Sequence, residues 1–273
     1  MVRRDEYFMT NTQMIIFGVL FIFVMTTAGS GLIFFFKKGI SPKMNTIFLG
    51  FAAGIMIAAS IWSLLNPAIA QSEHLGVLSF VPAAIGFLLG GLFLFGIDRL
   101  VPHFHSEINQ EEGIKSKLSR STKLFLAMAI HNIPEGLAVG FAFGVALATE
   151  GTMQAASFAS ALGLAIGIGL QNFPEGAAVS LPMAEELGSK KKAFLYGAFS
   201  GVLEPIAAII GIILASSLTA LMPWFLSFAA GAMIYVVVEE LIPESHMSEH
   251  AHLGTWGVML GFVIMMVLDV ALG

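Results

Sequence analysis

The sequence predicts an all-α integral membrane protein of eight transmembrane helices, set three, two, three with inverted pseudo-symmetry. Three observations predict it. Hydrophobic residues fill 57% of the 273 positions and charged residues only 11%, too little charge to cover a soluble globule of this length. The apolar residues gather in eight runs, each close to or beyond the roughly 20 residues a helix needs to cross about 30 Å of hydrocarbon. Two short patterns recur, one doubled in mid-chain and one shared between the two ends.

The first run, about 13–36, follows Arg3 and Arg4 and contains Ala28-Gly29-Ser30, as a signal peptide would. It continues through Leu32 to Phe36, too long for an h-region, so it reads as a retained span. The second, about 44–69, holds FAAGIMI and then Pro67; the third covers about 80–101. A polar loop of about 102–121 follows, rich in Lys and Arg and including PHFHSE. The fourth, about 122–148, carries HNIPEG, and the fifth, about 153–180, carries QNFPEG. The sixth, about 193–217, contains GVLEP; the seventh, about 221–243, holds FAAGAMI and ends at Pro243; the eighth, about 253–272, contains Asp269. Each must be helical, because hydrocarbon offers a backbone no other hydrogen-bond partner. Residues 1–273 thus read as a single polytopic membrane domain.

Orientation follows from the basic residues in short loops. Lys37, Lys38 and Lys43 follow the first span; Arg99, Lys115, Lys117, Arg120 and Lys123 surround the loop after the third; Lys190, Lys191 and Lys192 follow the fifth. All fall on one side, and only Arg3 and Arg4 on the other. The basic loops are therefore expected in the cytoplasm and both termini outside a plasma membrane. The absence of cysteine removes disulfides, thiolate metal sites and iron–sulfur clusters.

FAAGIMI (Phe51 to Ile57) and FAAGAMI (Phe228 to Ile234) lie on spans that run in opposite directions, as do HNIPEG (His131 to Gly136) and QNFPEG (Gln171 to Gly176). Chance likeness among Gly/Ala-rich helices explains FAAG alone, but not both matched pairs. Inverted repeats around broken midplane helices mark transporters. On a helix, His131, Asn132 and Glu135 project from one face, and Gln171, Asn172 and Glu175 repeat that geometry. Pro134 and Pro174 cannot donate to the carbonyls of Ile130 and Leu170, which frees two oxygens at mid-membrane. A carboxylate at the centre of a membrane helix costs roughly 3 kcal/mol, so Glu135, Glu175 and Glu204 unpaired would cost about 9.

No Lys or Arg stands beside them in mid-span, so protons or an imported cation must compensate. Carboxylates and amides with one imidazole suit Zn²⁺, Mn²⁺ or Fe²⁺; an all-oxygen cage would suit Ca²⁺ or Mg²⁺. A proton- or sodium-coupled calcium exchanger is the alternative, opposed by His131 and by Met56. Polar residues can also serve only as interhelical glue, but three glutamates and a histidine at matched spacings exceed that need. An intramembrane metalloprotease would need HExxH, which is absent.

HNIPEG, QNFPEG and the GVLEP of the sixth span resemble the ZIP (Zrt/Irt-like) family of divalent-metal transporters, and the QN form of the second motif is similar to its bacterial GufA-like branch. The resemblance covers nearly the whole chain. It implies a homodimer of eight-helix carriers in the lipid bilayer, not an enzyme, with no cofactor and no nucleic-acid partner. Zn²⁺ is the implied substrate, with Fe²⁺, Mn²⁺ or Cd²⁺ as others, taken inward by alternating access. Carried over by position, one metal would sit among His131, Glu135, Gln171 and Glu175, with Met56 as a thioether contributor. A second would sit among Asn132, Glu135, Asn172, Glu175 and Glu204, bridged by Glu135 and Glu175. Where many relatives have His at the position of Gln171 this chain has a neutral amide, which weakens the first site, and Gln171 against His131 makes the cage asymmetric.

Away from the centre, Asp269 either guards the entrance or is simply solvated near a helix end. Glu239, Glu240 and Glu244 line a plausible exit. His103 and His105 in PHFHSE, with His246, His250 and His252 in ESHMSEHAH, could hold a departing metal weakly or be ordinary loop polarity.

Overall fold

The computed structural model describes residues 9–35, 41–105, 110–246 and 250–272, with the backbone alone at 104, 105, 110–112 and 185. Arg3, Arg4, Lys37 and Lys38 lie outside the described residues, as does the side chain of His105. Eight helices among the described residues are long and apolar enough to cross a membrane. These spans, one to eight, are Asn11–Phe34, Pro42–Gln71, Phe80–Leu100, Arg120–Ala148, Gly151–Ala184, Lys190–Ser217, Thr219–His246 and Ala251–Leu272. Span five continues as helix to Leu187. Between spans three and four, β1 (His103–His105) pairs antiparallel with β2 (Gln110–Glu112).

Short polar side chains set several helix starts. Thr10 and Gln13 form a reciprocal capping box ahead of span one. Ser41, Ser119 and Ser189 each accept a first-turn backbone N–H of spans two, four and six.

Four helix pairs carry most of the packing: span one with five, four with six, two with eight, and three with seven. In lipid there is no hydrophobic drive between helices, so cohesion rests on close backbone approach across small residues. A Cβ at Gly231 would lie 1.9 Å from the carbonyl oxygen of Phe87, and one at Gly54 would lie 2.1 Å from that of Val258. Gly90 similarly abuts Phe228, and Gly261 abuts Phe51. The register that carries Phe51 onto Phe228 carries Gly54 onto Gly231; the one that carries Gly90 onto Gly261 carries Phe87 onto Val258. The two-eight and seven-three interfaces are thus the same interface built twice. The central pair behaves likewise: Gly136 abuts Glu204 of span six, and Gly176 abuts Thr26 of span one.

The correspondence extends to an irregularity. Span two widens to a π-helix over Ser60–Leu65, and span seven does so at the matching Val237–Leu241. Pro67 and Pro243 lie just beyond. Neither can donate to the carbonyl four residues back, and each ring presses on that carbonyl; a wider turn accommodates both effects. Spans one, four, five and six meet the other four mainly through span five against two and span four against seven. At the second contact Phe141 stacks on Phe225 with ring centres 5.2 Å apart.

Gly231→Ala should lower stability by about 1–3 kcal/mol, as overpacking at a tight contact does, read as a drop in the thermal unfolding midpoint in detergent. Gly96→Ala, whose Cβ would meet nothing within 4 Å, should leave it unchanged or raise it.

Candidate metal centre

Spans four and five run helically through Pro134 and Pro174, and bring both matched motifs into the interior. His131, Asn132, Glu135, Gln171, Asn172, Glu175 and Glu204 are all buried, with Glu135, Gln171 and Glu204 at 0% exposure. Gln171 Nε2 donates to Glu135 Oε1 at 2.6 Å and also to Asn172 Oδ1. The Thr26 hydroxyl of span one lies 2.5 Å from Glu204 Oε1. His131 Nδ1 stands 3.7 Å from Glu175 Oε1, and its Nε2 pairs with Glu240 Oε1 of span seven at 2.7 Å. Glu135 lies within electrostatic reach of both Glu175 and Glu204.

Each of these three carboxylates keeps one oxygen, Oε2, buried without a hydrogen-bond partner, and so does the amide oxygen of Gln171. Unsatisfied acceptors at this depth are expensive. A cation is the kind of group that four such oxygens could accept together. In this arrangement no three His, Asp or Glu side chains among the described residues converge to hold one ion. The donors meet in pairs, so seating a cation requires side-chain rotation away from these pairings. Met56, 1% exposed, packs within the apolar core.

Two polar groups flank the centre at matched positions, one with two acids and one with a single acid. On the side of the basic loops, Glu240 sits in the π segment of span seven beside the buried Asp98 of span three, with Tyr235 and His103 close by. His103 is 1% exposed and its Nδ1 pairs with the carbonyl of Val101 at 2.9 Å. On the opposite side, Ser63 in the π segment of span two donates to Asp269 of span eight at 2.9 Å. Asp269 is 7% exposed, and with Ser63, Trp62, Ser157 and Ser160 it lines a cavity of about 410 Å³. The same register that pairs Gly90 with Gly261 pairs Asp98 with Asp269, and the one that pairs Gly54 with Gly231 pairs Ser63 with Glu240.

Asp98, Thr26 and Ser63 belong to none of the sequence motifs. Asp98 stands next to Arg99 at a helix end, where acids are ordinary; its equivalence to Asp269 was the available signal. Lys123 is also buried, near the start of span four, about 12 Å along the helix from His131 at 1.5 Å per residue. Other flanking residues stand apart from the centre. Glu239 is exposed, in a groove between spans three and seven. His246 is exposed and pairs with the Ile242 carbonyl, Ser245 and Thr255, which ties the end of span seven to span eight.

Inverted halves of helical spans, with buried carboxylates between proline-containing central helices, form the architecture of a membrane transport protein. A family model described as ZIP zinc transporter matches residues 108–269, and the chain belongs to the ZIP family. It is 38% identical to the zinc transporter ZIP11 of Xenopus tropicalis over 94% of this chain and 96% of that relative. It is 38% identical to the zinc transporter GufA of Myxococcus xanthus over 86% of this chain and 89% of that protein, which fits the GufA-like branch. Its identity to the zinc transporter ZupT of Chlorobaculum parvum is 35%, over 95% and 98% of the two chains.

His131 and Glu240 should show a coupling of about 1–3 kcal/mol in a double-mutant cycle of His131→Ala and Glu240→Ala, measured by unfolding in detergent, because the pair is buried and in direct contact.

Proposed function

We propose that this protein carries divalent transition-metal cations, Zn²⁺ foremost, across the plasma membrane into the cytoplasm. Fe²⁺, Mn²⁺ and Cd²⁺ are the further candidates. The observation that carries the reading is the set of three fully or nearly buried glutamates on facing helices, each with one unpartnered oxygen. The names of the relatives, all zinc transporters, support it and speak for a transporter rather than an enzyme.

The proposed site is binuclear. His131, Glu135, Gln171 and Glu175, with Met56, hold one ion; Asn132, Glu135, Asn172, Glu175 and Glu204 hold the other. A cation enters by the cavity at Asp269 and Ser63 and sheds water. It then draws the free oxygens of Glu135, Glu175 and Glu204 toward itself. His131 exchanges Glu240 for the metal, and Glu240 with Asp98 and His103 receives the ion on the cytoplasmic side. Glycine-packed pairs support two rigid groups, spans one, four, five and six moving against two, three, seven and eight. Both termini lie outside, and two copies form a homodimer.

Glu175→Ala should abolish radiolabelled Zn²⁺ uptake in proteoliposomes while the protein still folds; undiminished uptake would remove Glu175 from the site, and Ca²⁺ uptake in place of Zn²⁺ would favour the exchanger. Because the chain has no cysteine, single cysteines report sidedness directly. Thr152→Cys should react with an impermeant maleimide in intact cells, and Lys191→Cys only after lysis; the reverse pattern would invert the topology.

A further inference from the structure

We propose that Thr26 is a positioning residue of the transport site, whose hydroxyl holds one oxygen of Glu204 so that the other is presented to the cation. The proposal rests on the metal-site reading above. Thr26 lies in span one, is 1% exposed, and belongs to none of the sequence motifs.

The inverted repeat gives Thr26 its meaning. Gly136 and Gly176 close the two matched motifs, and a Cβ on them would meet the carbonyl oxygens of Glu204 and Thr26 at 2.3 and 2.4 Å. Thr26 therefore occupies, in the first half, the place that Glu204 occupies in the second. Strict symmetry would put a fourth carboxylate there. This chain has a hydroxyl instead, and it is turned onto Glu204 itself.

A threonine hydroxyl has a single proton to donate. Its usual helical acceptor is the carbonyl four residues back, here Ile22 at 3.2 Å, but Glu204 Oε1 is nearer at 2.5 Å. Donation to a carboxylate is the stronger bond. With Asn172 also interacting with this carboxyl, it helps to fix the group's rotation and occupies Oε1, while Oε2 has no hydrogen-bond partner among the described residues. Glu204 is thereby set up as a one-oxygen ligand, which suits the low coordination number of Zn²⁺. The two ends of the Thr26 side chain do different things: the methyl packs toward Gly201, where a Cβ would meet Thr26 Cγ2 at 3.2 Å, at the break between Lys190–Gly201 and Leu203–Ser217.

That division allows a clean test. Thr26→Val keeps the shape and loses the hydroxyl; Thr26→Ser keeps the hydroxyl and loses the methyl. Equilibrium Zn²⁺ binding to purified protein and uptake by proteoliposomes are measured for each, with thermal unfolding as the control for folding. Thr26→Val should weaken Zn²⁺ binding and raise KM by about tenfold or more, the worth of one hydrogen bond to a charged group, with the maximal rate kept within a few-fold. Thr26→Ser should stay within about twofold of the unsubstituted protein on the same scale. Unsubstituted-like binding by Thr26→Val, or equal losses in both variants, would overturn the assignment and leave Thr26 a packing residue. If Thr26→Val does not fold, Thr26→Ala takes its place against Thr26→Ser under the same criteria. Failure of the metal-site reading looks different: the unsubstituted protein itself would show no saturable Zn²⁺ binding, and the proposal would fall with it.

Discussion

Three buried carboxylates between helices that cross hydrocarbon are the constraint on which the rest of this structure depends. Water cannot solvate them, and no described Lys or Arg stands among them at the centre. Each is held instead by contacts from neighbouring helices: Gln171 on Glu135, Thr26 and Asn172 on Glu204, His131 facing Glu175. Those contacts require spans one, four, five and six to lie against one another at fixed register. The prolines within spans four and five supply further exposed carbonyls without ending either helix. Local chain chemistry and the charge problem thus have a common solution at one depth.

Close packing makes that register possible. Where a soluble protein would bury leucines between helices, this one sets glycine against backbone carbonyl, at Gly54, Gly90, Gly231 and Gly261 on one side and at Gly136 and Gly176 on the other. Interfaces of this kind tolerate no added methyl group, so they behave as rigid joints. Between the two groups of four spans Phe141 stacks on Phe225, and Gly163 and Gly167 of span five lie against Leu272 and Met265 of span eight.

Much of this was legible in the sequence. Eight apolar runs gave eight spans, because hydrocarbon thickness imposes a length on every crossing helix. HNIPEG and QNFPEG gave the central residues, because i,i+3 and i,i+4 spacing puts them on one face whatever surrounds the helix. Tertiary facts were not legible. Glu240 read as one of three acids lining an exit at the inner end of the seventh span, and only folding brings it to His131 across 109 positions of chain. Asp269 left two readings open until its burial and its bond to Ser63 were seen. Thr26 carried no signal at all, since one threonine in an apolar helix is unremarkable until its mirror position is known. The π segments were hinted at by Pro67 and Pro243, but a proline near a helix end predicts a stop or a kink as readily as a widened turn.

The two π segments have a consequence for directionality. They are the same backbone device used twice, yet one presents Ser63 and the other Glu240. Similar pairs stand elsewhere on the repeat: Gln171 against His131, Thr26 against Glu204. A molecule whose halves matched in chemistry as well as in backbone would be degenerate, its two shapes related by the twofold axis of the repeat equal in energy. Each unlike pair lifts that degeneracy. The fold is thus a symmetric frame on which a few side chains write a polarity.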